Sequence, residues 1–225
     1  MQKRQPFLRA GLPKSERPGP AAQEHSPNRR RRRFVLLDRD GTLNIERGYL
    51  SDPGEFALLP GVPEGLRQLR SLGLGLVVVS NQSAIGRGHF DLTRLEGIHN
   101  RMCELLARSG VGLDAIFFCP HTPEDNCACR KPEVGLGLQA AAQLGFYPKE
   151  CFMIGDKKSD IAFGKRLEAT TLLVRTGYGA EVEMAGEHGA DYVVDDLREA
   201  AQVIAQLLAP KQEPLTGAVA GRRER

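Results

Sequence analysis

Two carboxylates, Asp38 and Asp40, stand two residues apart in Asp38-Arg39-Asp40-Gly41-Thr42, directly after the apolar run 34–37. At a strand's end that spacing can turn both acids toward one metal. Carboxylate oxygens suit the hard ion Mg²⁺, which keeps waters and takes phosphate oxygens as further ligands. The same five residues would also serve as an ordinary Asp-Gly turn with solvated acids. Three further segments weigh against the turn, each following an apolar run or preceding a helix. Ser80-Asn81-Gln82-Ser83 follows residues 77–79 and brings hydroxyl, amide and backbone N–H groups able to grip phosphate oxygens. Arg130-Lys131-Pro132 supplies two cations, and Gly155-Asp156-Lys157-Lys158-Ser159-Asp160 adds carboxylates after residues 152–154. Loop Lys and Asp are usually just solvated, so each segment alone says little. The four in order are a strong joint signal.

A second constellation is Cys119-Pro120-His121 followed by Cys127-Ala128-Cys129. Three thiolates and an imidazole make a Cys₃His set, which fits a closed, structural zinc site. A metal-free thiol cluster is the plainer alternative, a costly use of three cysteines within eleven residues. Zinc here would tie down the loop that continues into Arg130 and Lys131. Cys103 and Cys151 read as packing residues. An odd count of five cysteines does not suggest a disulfide framework, and the expected compartment is reducing.

The elements that must position these groups alternate. Residues 34–37, 76–79, 115–118, 152–154, 172–174 and 192–194 are short, near-continuously apolar runs, as parallel strands covered on both faces must be. Helical periodicity lies between them. One helix is expected to open at Thr93 with Glu96 as a capping box, and to bury Leu95, Ile98, Met102, Leu105 and Leu106. Another runs from Asp196 with Leu197, Ala200, Ala201, Ile204 and Leu208 on one face. The expectation is a doubly wound α/β fold with a mostly parallel, Rossmann-like sheet and its site beyond the carboxyl ends of the strands.

The chain has 225 residues, enough for one ordinary core. Residues 1–33 carry ten basic against two acidic side chains and no apolar periodicity, and are expected to be a disordered basic extension. Residues 34–210 are expected to form the catalytic domain, and 211–225 a disordered tail. The net +3 hides an acidic domain: the basic ends leave −7 on residues 34–210. Arg29 to Arg33 could serve an RNA- or membrane-binding arm. A solvated tail is the simpler account, and the apolar run after it is too short for an export signal. No stretch approaches a membrane span.

The order of the four segments resembles the haloacid dehalogenase superfamily of phosphohydrolases over about residues 34–180. Asp38-x-Asp40-x-Thr42 is similar to its first motif, Ser80 to its second, Lys131 to its third, and Gly155-Asp156 with Asp160 to its fourth. The resemblance implies a phosphatase with Asp38 as nucleophile, forming a phospho-aspartate, and Asp40 as general acid and then base. Asp40 would need a raised pKa for the first step. Mg²⁺ would be held by Asp38, Asp156 and the backbone carbonyl of Asp40, while Ser80 and Lys131 stabilise the transferring phosphoryl group. Only 37 residues separate Thr42 from Ser80, and 50 separate Ser80 from Lys131, so no large cap domain is expected.

The cysteine–histidine loop narrows the resemblance to two related groups, the heptose 1,7-bisphosphate 7-phosphatases and the histidinol-phosphate phosphatases. Five residues between His121 and Cys127 make a short loop that leaves the choice open. Glu46-Arg47-Gly48-Tyr49 resembles a stretch bordering the sugar in the heptose group, and would otherwise be an exposed turn. Asn81, Gln82 and Ser83, with Lys157, also look more like that group; Ala84 departs from it, where a glycine is expected. The substrate contacts implied are Glu46, Arg47, Gly48, Tyr49, Asn81, Gln82, Ser83, Arg130 and Lys157. The leading expectation is a cytoplasmic, monomeric phosphatase of a small sugar bisphosphate. Histidinol phosphate is the alternative substrate, and a non-catalytic, nucleic-acid-associated module the alternative of another class.

Overall fold

The computed structural model describes residues 32–210. The chain runs through β1 (Phe34–Leu37), α1 (Val62–Ser71), β2 (Gly75–Asn81), the single turn α2 (Ser83–Gly86) and α3 (Leu92–Arg108). It continues through β3 (Ala115–Cys119), α4 (Gly135–Leu144), β4 (Phe152–Gly155), α5 (Lys158–Arg166), β5 (Thr170–Val174), α6 (Gly179–Ala185), β6 (Tyr192–Val194) and α7 (Leu197–Leu208). Successive side chains of a strand face opposite sides of a sheet, and both sides are covered here. Val35 and Leu37 of β1 point into a core built with Leu66 and Leu69 of α1, Ile98 and Met102 of α3 and Ile204 of α7. Phe34 and Leu36 point the other way, onto Leu136 and Ala140 of α4 and Phe163 of α5. This two-sided burial is why the strands read as continuous apolar runs.

Every strand pair is parallel, in the order β3-β2-β1-β4-β5-β6. The order reverses between β1 and β4. Their following loops diverge there and open a crevice at the carboxyl ends, the usual ligand position in such sheets. Asp38 leaves β1 and Asp156 leaves β4 at that crevice, as expected. Strand β2 extends further than residues 76–79, so Ser80 and Asn81 are strand residues paired with Phe118 and Cys119. Among the described residues no second domain is inserted as a cap.

Two local expectations are corrected. Helix α3 is capped by Asp91, whose side chain accepts from the Arg94 N–H at 2.9 Å, and Thr93 lies inside the first turn. Asp91 satisfies one of the orphan donors that Thr93 was expected to satisfy. The folded part also begins before residue 34. Arg33 O accepts from Gly75 N–H, and Arg32 bonds Asp114 at 2.9 Å and the Leu74 carbonyl. The remaining residues of both expected extensions, 1–31 and 211–225, lie outside the described residues.

The cap assignment makes a discriminating prediction. Asp91→Ala should lower stability by about 1 kcal/mol in urea melts, the usual loss for an N-cap carboxylate, whereas Thr93→Ala should stay within about 0.5 kcal/mol.

Candidate active site

The floor of the crevice is a buried cluster of charge. Asp38 is reached by Lys131, whose Nζ lies 2.6 Å from Asp38 Oδ1, 2.7 Å from Asp160 Oδ1 and 2.7 Å from the Val79 carbonyl. Burial works to lower the Lys131 pKa, but the charges of Asp160 and Asp38 outweigh it and hold the ammonium firmly protonated. Asp160 has a second task at the start of α5, where Oδ2 accepts from the Lys157 N–H at 3.0 Å. Asn81 clamps the backbone that carries Lys131: its amide donates to Lys131 O and accepts from Lys131 N–H, each at 3.0 Å.

Asp156 completes the floor from β4. Its Oδ2 accepts from Tyr178 N–H at 2.9 Å, while Oδ1 is buried with no partner among the described residues. Oxygens of Asp38, Asp156 and Asp160 all lie within 4.8 Å of one another. Burial, then the neighbouring Asp38 charge, raises the Asp156 pKa to about 8, and the same two causes raise Asp160 to about 6. An orphaned buried carboxylate oxygen amid three acids fits a hard divalent cation. The backbone packs tightly around it. A Cβ on Gly41 or on Gly177 would come 2.2 Å from Asp156 Oδ2, and both residues have positive φ, +84° and +57°. Thr176 ties the two loops together, donating to Gly41 O at 2.6 Å.

Asp40 belongs to a different network and does not join that acid cluster through its side chain. Arg39 donates to both its oxygens, from Nε at 3.1 Å and from Nη2 at 3.0 and 2.7 Å; Asn44 donates at 3.0 Å and Gln82 at 2.9 Å. Burial pushes the Asp40 carboxyl up, but the Arg39 charge and the hydrogen bonds from Arg39, Asn44 and Gln82 prevail and hold it below its usual range. The expectation of a raised pKa is therefore not met in the chain by itself, because the neighbour between the two motif acids is a buried counter-ion. Gln82 also donates to Ser80 Oγ at 2.7 Å and accepts from Arg39 Nη2 at 3.0 Å.

Above the floor lies a cavity of about 210 Å³. Asp40, Glu46, Gly48, Tyr49, Asn81, Gln82, Ser83, Arg130 and Lys157 all line it. Lys157 Nζ pairs with Glu46 Oε2 at 2.7 Å and sits 5.0 Å from the Tyr178 ring. Glu46 Oε1 accepts from Gly48 N–H at 2.8 Å. That bond closes a tight turn with Arg47 at its exposed tip, outside the cavity lining, so Arg47 is set apart from the other expected contacts. Asn81 and Gln82 are walls whose amides are engaged internally, in holding Lys131, Asp40 and Ser80. Four participants escaped the sequence reading: Arg39, Asn44, His99 and Tyr178. Only Arg39 carried a signal, as a charged side chain at the end of a buried strand, where burial demands a partner.

The Cys₃His set converges as expected. Sulfur–sulfur distances are 3.5 Å for Cys119–Cys127 and 3.3 Å for Cys127–Cys129 and Cys119–Cys129; His121 Nδ1 lies 3.6 Å from Cys119 and 3.3 Å from Cys129. Zinc–sulfur bonds of about 2.3 Å imply tetrahedron edges near 3.8 Å, so a slight outward relaxation would seat an ion. Arg130 Nη1 donates to the His121 carbonyl at 3.2 Å, which couples this cluster to the cavity wall.

Comparison with known proteins places this geometry. The family profile described as HAD-hydrolase-like matches residues 128–200. The chain is 38% identical over 183 residues to D-glycero-β-D-manno-heptose-1,7-bisphosphate 7-phosphatase of Pasteurella multocida (strain Pm70), covering 78% of this chain and 98% of that protein. The enzyme of the same name from Haemophilus influenzae (strain ATCC 51907 / DSM 11121 / KW20 / Rd) is 39% identical over 180 residues, covering 77% and 97%. The crystal structure of D,D-heptose 1,7-bisphosphate phosphatase from B. bronchiseptica, complexed with magnesium and phosphate, matches with a TM-score of 0.73 at 33% identity. That match covers 78% of this chain and 99% of the other.

A divalent cation entering the acid cluster must displace the proton on Asp156. Apparent Mg²⁺ affinity, measured by calorimetry in buffers of different ionisation enthalpy, should therefore strengthen as pH rises toward about 8, by up to ~tenfold per unit, with proton release. The sign for folding is opposite: an acid whose pKa is raised above its unfolded 3.8 makes the metal-free fold lose stability as pH rises toward 8, and added Mg²⁺ should restore it. A pH-independent affinity would contradict a protonated Asp156.

Proposed function

This chain belongs to the haloacid dehalogenase-like phosphatases, in the family of the D-glycero-β-D-manno-heptose-1,7-bisphosphate 7-phosphatases, and on that premise we propose that it removes the 7-phosphate of D-glycero-D-manno-heptose 1,7-bisphosphate. The observation that carries the substrate reading is the charge of the cavity wall. Arg130 lines the cavity and has no carboxylate partner among the described residues, while the two acids that line the same cavity, Glu46 and Asp40, are already paired with Lys157 and Arg39. A second phosphate would supply the anion that Arg130 lacks, in a bidentate contact that a guanidinium favours. The cationic amine of histidinol phosphate would find no free acid there.

In this reading a carboxylate oxygen of Asp38 attacks phosphorus and the bond from phosphorus to the sugar oxygen breaks, with Asp40 giving that oxygen a proton. Water then attacks the acylphosphate, Asp40 takes back a proton, and inorganic phosphate leaves with Asp38 restored. The incoming phosphate's negative charge opposes Arg39 and favours the protonated Asp40 of the first step. Lys131 contacts Asp38, and Ser80 is joined through Gln82 to Asp40; in this reading both stabilise charge on the phosphoryl oxygens. Mg²⁺ on Asp38 and Asp156 would supply electrostatic shielding between nucleophile and phosphate. The backbone carbonyl of Asp40 is its third expected ligand.

We assign Zn²⁺ to Cys119, His121, Cys127 and Cys129. The five free cysteines support a reducing, cytoplasmic setting. No helix among the described residues is long and apolar enough to cross a membrane.

Two outcomes test these assignments. Purified protein should contain about one zinc per chain, and Cys129→Ser should lose it and raise KM through release of Arg130; zinc-free protein of full activity would refute the assignment. Arg130→Ala should lower kcat/KM for the bisphosphate by ~2–4 kcal/mol and barely affect a simple sugar monophosphate. Equal losses on both, or a higher wild-type kcat/KM for histidinol phosphate, would overturn the substrate reading.

A further inference from the structure

Arg39 has one of the largest fully buried side chains among the described residues, with 1% exposure, and the phosphatase chemistry above leaves it without a role. A guanidinium taken out of water costs several kcal/mol unless it is paired and its donors are satisfied. Among the described residues Asp40 is its only acid partner. The rest of the fork is satisfied by neutral groups, Gln82 Oε1 at 3.0 Å and His99 Nε2 at 3.3 Å. Because Arg39 can only donate, His99 Nε2 must accept there, so His99 is the neutral Nδ1–H tautomer. Helix α3 thus presents an acceptor, not a second charge. The whole attraction of the buried cation falls on one carboxylate.

Asp40 needs this more than an acid in a packed site would. It lines the cavity with 15% of its side chain exposed, so packing alone does not fix its two side-chain torsions. Arg39 grips both oxygens at once, and a bidentate fork fixes the plane of a carboxylate, where a point charge fixes only its distance. Asn44 and Gln82 add one bond to each oxygen. Gln82 shares its amide between Asp40 Oδ2 and Ser80 Oγ, so the carboxylate and the Ser80 hydroxyl are held in one register.

We propose that Arg39 is the positioning residue for Asp40: its buried guanidinium, braced by His99 and Gln82, holds the carboxyl plane in which Asp40 transfers a proton to the leaving oxygen and then takes one from water. The proposal rests on the phospho-aspartate reading. Its consequence is specific to the leaving group. A sugar oxygen leaves poorly unless protonated, whereas a nitrophenolate leaves readily as the anion. Misaiming Asp40 should therefore harm only the first class of substrate in the phosphorylation step.

The test uses the full-length, metal-loaded protein with Arg39→Met and Arg39→Lys, assayed on the heptose bisphosphate and on p-nitrophenyl phosphate under single-turnover conditions. Both variants should lose roughly 10²-fold in the phosphorylation rate on the sugar phosphate, the scale of general acid catalysis, with KM little changed and less than about threefold loss on the aryl ester. In an Asp40→Asn background, Arg39→Met should cost no further activity, because the two act as one unit. Thermal melts and zinc content report folding. Should Arg39→Met not fold, Arg39→Lys carries the test, since it keeps the buried charge and loses the fork. Equal losses on both substrates, or losses that multiply with those of Asp40→Asn, would overturn the proposal and leave Arg39 a structural ion. Failure of the phospho-aspartate reading would look different: Asp38→Asn would retain turnover in otherwise wild-type protein.

Discussion

Four carboxylates converge where β1 and β4 end, and all are buried or nearly so. Gathering Asp38, Asp40, Asp156 and Asp160 in one crevice would be prohibitive without compensation, since each charge taken from water costs several kcal/mol and each repels the others. The surrounding structure supplies that compensation in distinct ways. Lys131 lies between Asp38 and Asp160. Arg39 is matched to Asp40. Of the four, Asp156 alone has a buried oxygen with neither a hydrogen bond nor an ion pair, and its pKa is raised to about 8. Two acids share one cation, one acid has its own, and the fourth offers an oxygen that a metal ion would satisfy. In the proposed reaction the division would follow the work of each acid: Asp38, the nucleophile, lies in the cluster that fits a divalent cation, and Asp40, the proton carrier, sits apart in a neutral pair with Arg39.

The cation that pairs with Asp38 arrives from far along the chain, which explains much of the loop architecture after β3. Lys131 must reach across from beyond that strand to the end of β1, and two devices hold it. The cysteine–histidine cluster gathers residues 119–129 into a knot immediately before it, and Asn81 bonds both sides of its peptide backbone. A flexible lysine has three or four torsions to immobilise, and fixing the backbone on either side removes most of the remaining search. The same knot fixes Arg130 on the cavity wall through the His121 carbonyl. One cluster therefore positions both Lys131 and Arg130, the groups proposed for chemistry and for specificity, in a fold with no cap domain among its described residues.

Much of this was legible in the residues alone. Parallel strands buried on both faces show as short apolar runs, and all six were visible because no solvent-facing positions interrupt them. The motif acids, Ser80, Lys131 and the Cys₃His set stood out because each is a rare residue type at a strand end or at metal-ligand spacing. Boundaries were less visible: β2 runs on through Ser80 and Asn81, and Asp91 rather than Thr93 caps α3, since adjacent polar residues compete for a cap and only backbone geometry selects the winner.

The sequence therefore carried the identity of the groups proposed to react, because chemistry is a property of side-chain type and those types are few. Their partnerships came with the fold. Arg39 and His99 are sixty residues apart, as are no two members of a local motif, and nothing in either segment announces that α3 will deliver an imidazole to a guanidinium. Asn81 and Gln82 were legible as polar groups at a phosphate site, yet folding engages their amides in holding Lys131 and Asp40. Glu46 became the partner of Lys157 across 111 residues. The physical reason is that a hydrogen bond or ion pair depends on which groups burial brings within about 3 Å, and that distance is set by sheet order and loop closure.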